Sequence, residues 1–203
     1  MTTTTNTATP DYIVDGVLTD GEAWVPLSTT VISTPANIVT WTSSTGANDW
    51  SQYMDLVIIT NGNTSYSSDA AGMPIYGQLN DDSTSANYTW ERFWGNGSST
   101  FAQYYASKDG FSAGLEVSTG IGDNEFGGSI CRLVDINSGK WKTIHAYSAN
   151  ATTNATHQEV HSTACFWRKT ESIIKIELIA DGSHNHIADS RFDLFGVLPR
   201  MVS

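Results

Sequence analysis

Two runs near the C-terminus constrain the fold most. In residues 173–179, Ile174, Ile176 and Leu178 share one phase, and Lys175 and Glu177 the other. In residues 191–197, Phe192 and Leu194 point one way, Arg191 and Asp193 the opposite way. Side chains of a strand alternate between its faces, so a period of two marks a strand with one buried and one wet face. Asp181-Gly182 lies between the runs. The expectation is a hairpin that ties the end of the chain into a sheet.

The same signal recurs upstream. Strand-like runs occur at 31–32, 38–41, 53–60, 73–79, 88–94, 101–105, 115–117, 128–136, 141–147 and 159–167, separated by Gly, Asn, Asp and Pro. Asn61-Gly62 reads as a tight turn. Residues 73–79 and 88–94, joined through Asn80-Asp81-Asp82-Ser83, read as a hairpin ended by Asn96-Gly97. No window of eleven or more residues holds helical periodicity. Short strands with such turns give an all-β chain, folded as a sandwich or barrel.

The chain has 203 residues, enough for one β domain with an arm. Residues 1–23 read as an N-terminal arm and 24–203 as the β-sandwich domain. The arm opens on a Thr-rich stretch and then carries two small apolar clusters, Tyr12-Ile13-Val14 and Val17-Leu18. Clusters this small cannot build a core, so the arm is expected to be either floppy in solution or docked on something larger.

Charge and composition exclude several classes. Only 15% of the residues are charged and 11% are aromatic, seven of them Trp, the reverse of a disordered chain. A net charge of -11 repels phosphate, so direct nucleic-acid binding is not expected. No run reaches the roughly 18 apolar residues of a membrane span. MTTTTNTATPDY has neither a basic nor an apolar signal region, so synthesis in the cytoplasm without a signal peptide is expected. Cys131 and Cys165 sit in apolar runs, as two buried thiols or one cross-strand disulfide.

No residue set demands catalysis. His157, Glu159 and His161 share a strand phase, and His184 and His186 sit near Asp181 and Asp189. Neither set has the spacing of a zinc helix, and turn histidines are commonly solvated. The acidic loop 80–83 lacks the glycine of an EF-hand. Neither a GxSxG elbow nor a phosphate-binding glycine loop occurs. The expectation is no enzyme, no cofactor and no metal. Trp90, Phe93, Trp94, Tyr104 and Tyr105 could stack on sugars, but core or subunit contacts are the commoner use of such residues.

The ordered segments WVPLSTTVIS (24–33), YMDLVII (53–59), LNDDSTSANYTWERFWGNGSS (79–99), WRKTESIIKIELIADG (167–182) and DSRFDLFGV (189–197) resemble a family of tailed-bacteriophage virion proteins common in marine and freshwater phages. That family ends a strand pair on a Gly-Ser-Arg-Phe-Ser-Leu-Tyr-Gly-like motif. Here Asp189, Asp193 and Phe195 replace its Gly, second Ser and Tyr, and the apolar phase is kept. The resemblance covers residues 24–198. It implies a jelly-roll-like β-sandwich used as an oligomeric structural or recognition module of a virion, and no catalytic residues.

With one domain, one arm and no stalk pattern, the leading expectation is a capsid decoration (cement) protein on the particle surface. It would bind the major capsid protein through Tyr12, Ile13, Val14, Val17 and Leu18, and assemble with itself as a trimer. The alternative is the receptor- or glycan-binding head of a tail or head fibre.

Overall fold

The computed structural model describes residues 1–5, 13–14, 17–18, 24–67, 72–119, 125–150, 152 and 158–198, with 13, 14, 17 and 18 as backbone only. Its strands are β1 (Thr2–Thr5), β2 (Ile13–Val14), β3 (Val17–Leu18), β4 (Trp24–Val31), β5 (Ile38–Thr42), β6 (Asp55–Thr64), β7 (Met73–Leu79), β8 (Tyr88–Gly95), β9 (Thr100–Lys108), β10 (Phe111–Ser118), β11 (Gly127–Val134), β12 (Lys142–Asn150), β13 (Glu159–Trp167), β14 (Lys175–Ala180) and β15 (Arg191–Val197). Three short 3-10 turns, Gly46–Asn48, Trp50–Gln52 and Ser85–Asn87, are the helical elements among the described residues.

The chain is all-β, a jelly-roll-like sandwich of two leaves. The larger leaf runs β1-β4-β15-β6-β11-β12-β13-β8-β9, every neighbour antiparallel. The smaller runs β5-β14-β7-β10, also antiparallel. A short parallel contact between β10 and β6, Val117↔Asn63 and Ser118↔Thr64, joins them.

Alternation explains the packing. In β12, Ile144 and Ala146 face the core while His145 and Tyr147 face outward. In β13, Cys165 and Trp167 point inward, Val160 and Phe166 outward. β10 is buried at every position, because one of its faces meets the large leaf while its edge meets β6. Its closest approach is at Gly114, where a Cβ would lie 2.2 Å from Ser129 Oγ. Ser129 Oγ accepts from Leu115 N at 2.9 Å and so pins β10 to β11. Trp50, Trp90, Trp167, Tyr53, Tyr88 and Phe111 fill the interior.

Four local expectations need correction. The two C-terminal runs do not pair with each other: β14 lies between β5 and β7 in the small leaf, β15 between β4 and β6 in the large one. Each buries one face, and facing each other across the sandwich satisfies both at once. Ile174 falls outside β14 and is exposed, while its neighbour Ile173 is buried.

Asn61-Gly62 is not a turn but the interior of β6. Glycine is needed there because a Cβ would meet Glu116 Oε1 at 2.8 Å. Finally, β7 and β8 belong to different leaves, and the hairpin closed by residues 96–99 is β8–β9.

The 80–83 loop is a structural clasp. Asn80 and Asp81 both take positive φ, 52° and 60°, as the centre of a mirror-image tight turn closed by Asp82 N donating to Leu79 O at 2.9 Å. Asp82 accepts from Trp167 Nε1 and Asn87 Nδ2, each at 2.8 Å, and from Thr84 N at 3.0 Å. Burial raises its pKa, but these hydrogen bonds outweigh that and hold the carboxyl below the usual range. Asp81 pairs with Lys175, and Asn80 Nδ2 donates to Ser172 O at 2.8 Å.

Candidate functional site

The outward face of the large leaf is the surface that invites a function. Register places its outward side chains in rows across β11, β12, β13, β8 and β9. One row is Ile130, Tyr147, Ser162, Phe93 and Ala102. The next is Gly128, Ala149, Val160, Gly95 and Thr100. A third, on the far side of the first, is Arg132, His145, Ala164, Glu91 and Tyr104.

Small residues in the second row sink below the large ones of the first. The result is a groove of about 860 Å³. Val160 stands at its edge 66% exposed, Tyr147 is 59% exposed and Phe93 54%. A second depression of about 330 Å³ continues the same face past Ile130 and Tyr147 to Val57 and Trp24. Trp24 leans on Phe195, with ring centroids 6.0 Å apart.

The charges on this face are largely cancelled. Arg132 donates through Nε to Asp55 Oδ2 at 2.8 Å and pairs with the same oxygen through its second nitrogen. Asp55 also accepts from Asp135 N at 2.7 Å. Arg191 pairs with Asp193 at 2.8 Å, and Thr29 donates to that carboxylate at 2.7 Å. The first two rows contain no charged side chain.

The aromatic residues singled out in the sequence separate by phase. Phe93 and Tyr104 are exposed on the outward face. Trp90 is buried and stacks on the half-buried Tyr105 at 4.0 Å. Trp94 turns inward, where the Arg92 guanidinium lies 4.3 Å from its ring centroid. Arg92 also reaches Tyr105 Oη at 2.8 Å. These inward aromatics stiffen the β8–β9 end instead of forming a platform.

Ile130, Tyr147 and Val160, the tallest residues of the groove, were not among the sequence candidates. Their signal was present as apolar residues in the outward phase of strands whose inward phase was already apolar.

The arm residues separate too. Tyr12 lies outside the described residues. Ile13 and Val14 pair with Leu18 and Val17 in a two-stranded sheet of their own. Asp15-Gly16 is the intervening dipeptide, a strong signal for a two-residue hairpin. Thr2–Thr5, at the start of the arm, adds an exposed edge strand to β4.

The histidines do not converge. His157 lies outside the described residues. His161 Nε2 meets Glu159 Oε2 at 2.8 Å, and His184 packs edge-on against Tyr66 at 4.8 Å. His186 is not a solvated turn residue, because it is fully buried with Glu116. Its Nδ1 lies 2.5 Å from Glu116 Oε1, and its Nε2 donates to Leu178 O at 3.3 Å.

Burial raises the Glu116 pKa, opposed by the histidine hydrogen bond, and Glu116 Oε2 has no hydrogen-bond partner among the described residues. A carboxylate is costly in such a place, so burial favours the neutral acid, which can donate to Nδ1. Ser190 is nearby in sequence, but its Oγ donates to Asn63 O at 3.1 Å. Glu116, His186 and Ser190 are all sealed from solvent and serve as internal cross-ties.

Among the described residues no group of three or more His, Cys, Asp or Glu could hold a metal ion. Cys131 and Cys165 are free, buried thiols, and burial pushes Cys165 up to about 12. Comparison with protein-family models, with curated proteins and with solved structures yields no match.

Proposed function

We propose that the chain is a structural protein of a tailed-bacteriophage virion, a capsid decoration protein that clamps the outer capsid surface and has no catalytic role. The observation that carries this reading is the leader. Residues 13–14 pair with 17–18 and, among the described residues, with no strand of the sandwich. The leader carries apolar residues ahead of a body that already has a complete core.

Such a finger suits a groove between capsomers of the major capsid protein. The body then sits over a symmetry axis with its own copies, as a trimer. Many modest contacts add up by multivalency, so no single tight site is required.

The paired substitution Ile13→Asp and Leu18→Asp tests the leader. These positions face each other across the hairpin. The expected result is at least about tenfold lower occupancy on capsids stripped of the wild-type chain, the equivalent of about 1.4 kcal/mol, with the melting temperature of the body unchanged. Undiminished occupancy contradicts the leader's role.

A second reading, the receptor- or glycan-binding head of a fibre, is favoured by the exposed Phe93, Tyr104 and Tyr147 on one sheet face. It predicts a few tens of copies per particle or fewer, where decoration predicts hundreds.

A further inference from the structure

We infer that the outward face of the large leaf is the surface through which copies of this chain bind one another, with Val160, Tyr147 and Phe93 at its centre. The inference names the surface used by the proposed oligomer and rests on that part of the reading. It is independent of which shell the oligomer sits on.

Three observations select the occupant. The first is charge. The molecule carries -11, so two copies repel wherever their acids meet. The two rows that form the groove hold no charge, and the flanking Arg132–Asp55 and Arg191–Asp193 pairs neutralise themselves. A basic partner would call for acids here and a nucleic acid for bases. A sugar would call for convergent polar groups, and the two rows offer only the hydroxyls of Ser162, Thr100 and Tyr147.

The second is shape. Val160 projects from the same row that Gly128, Ala149 and Gly95 hollow out. A Cβ built on Gly128 would meet nothing within 4 Å, so the space above it is open. Each copy therefore presents both a knob and a hole, as self-association requires.

The third is size. From Trp24 on β4 to Ala102 on β9 the face crosses eight strands, about 34 Å at the usual strand spacing. The uncharged rows occupy the five from β11 to β9, and the Arg191–Asp193 pair lies on the rest. Three rows with their side chains are about 20 Å deep. That footprint of about 680 Å² approaches the roughly 800 Å² per partner of a stable protein interface. Its apolar centre and polar rim, with the Arg132–Asp55 and Arg191–Asp193 pairs and the exposed Glu91, match the anatomy of such interfaces.

The test is the solution mass of the purified full chain by sedimentation at micromolar concentration. The expected result is two or three times the 22.0 kDa of one chain. Val160→Lys and, separately, Tyr147→Lys should each weaken association about tenfold or more, because a buried unpaired charge is strongly disfavoured. Both positions are exposed in the single chain, so far-ultraviolet circular dichroism should stay that of wild type.

Ile174→Lys, exposed but off this face, should leave the mass unchanged. Hydroxyl-radical footprinting of the wild type should show Tyr147 and Phe93 protected. A single-chain mass overturns the inference, as does an oligomer that both lysine variants leave intact. Oligosaccharide-induced shifts at these residues in a monomer would overturn it in favour of the glycan reading. Failure to decorate a capsid, with the mass and its sensitivity to lysine as expected, would sink the virion reading alone.

Discussion

The most consequential buried residue is Glu116, whose carboxyl lies against His186 with no solvent contact. Burial raises its pKa, so the folded chain keeps a proton that the unfolded chain releases above about pH 4.3. The folded state then binds more protons, and stability falls as pH rises from that value through the folded-state pKa. The slope approaches about 1.4 kcal/mol per pH unit within that window.

Glu116→Gln keeps a donor for Nδ1 and removes the titration. Chemical denaturation of both forms from pH 4.5 to 8 should show the wild type losing stability relative to the Gln form as pH increases. Parallel curves would mean that Glu116 is ionised in the fold. None of this was legible in the sequence, because Glu116 sits in a Gly- and Ser-rich stretch and His186 in a polar loop. Their meeting depends on which strands cross between the leaves.

At the scale of elements, the strands form where alternation and turn residues agree. Strands 73–79, 159–167 and 191–197 coincide with their sequence expectation because apolar phase and flanking turn signals mark both ends. Pairing was less legible. Alternation says that one face of a strand is buried, but not whether its neighbour lies beside it or across the core, which is why β14 and β15 read as a hairpin. Glycine was ambiguous in the same way. Gly62 reads as a turn from its Asn-Gly context, but it is a strand residue selected by close approach of Glu116.

Gly77 obeys the same rule. A Cβ there would fall 2.1 Å from Phe111 Cζ, inside the buried ring. Gly77→Ala must displace Phe111 or shift β7 away from β10, and overpacking of this kind costs about 1–3 kcal/mol. Thermal unfolding should show a clear loss, while Gly139→Ala, where a Cβ meets nothing within 4 Å, should be close to neutral. Equal melting temperatures would mean that the small leaf repacks freely.

At the scale of the molecule, one asymmetry organises the account. The four-stranded leaf covers one face of the nine-stranded leaf, and the other face is left with apolar rows exposed. Exposed apolar surface of that extent is characteristic of an interaction surface. The leader hairpin, with its own sheet, is the second feature beyond what the core requires. Together they fit a body that binds its own copies on one face and a larger shell through its leader.

Part of the exposed face was legible, since Phe93 and Tyr104 stand out in the sequence and both lie exposed on it. The groove was not, because apolar residues in both phases of a strand read equally well as a fully buried strand. The most direct measurement of the central claim is high-resolution imaging of the particle that carries this chain, with its copies located and counted. The account predicts hundreds of copies on the outer shell, each leader seated between capsid subunits. A few tens of copies on a tail or fibre, or leaders touching no neighbour, would contradict it.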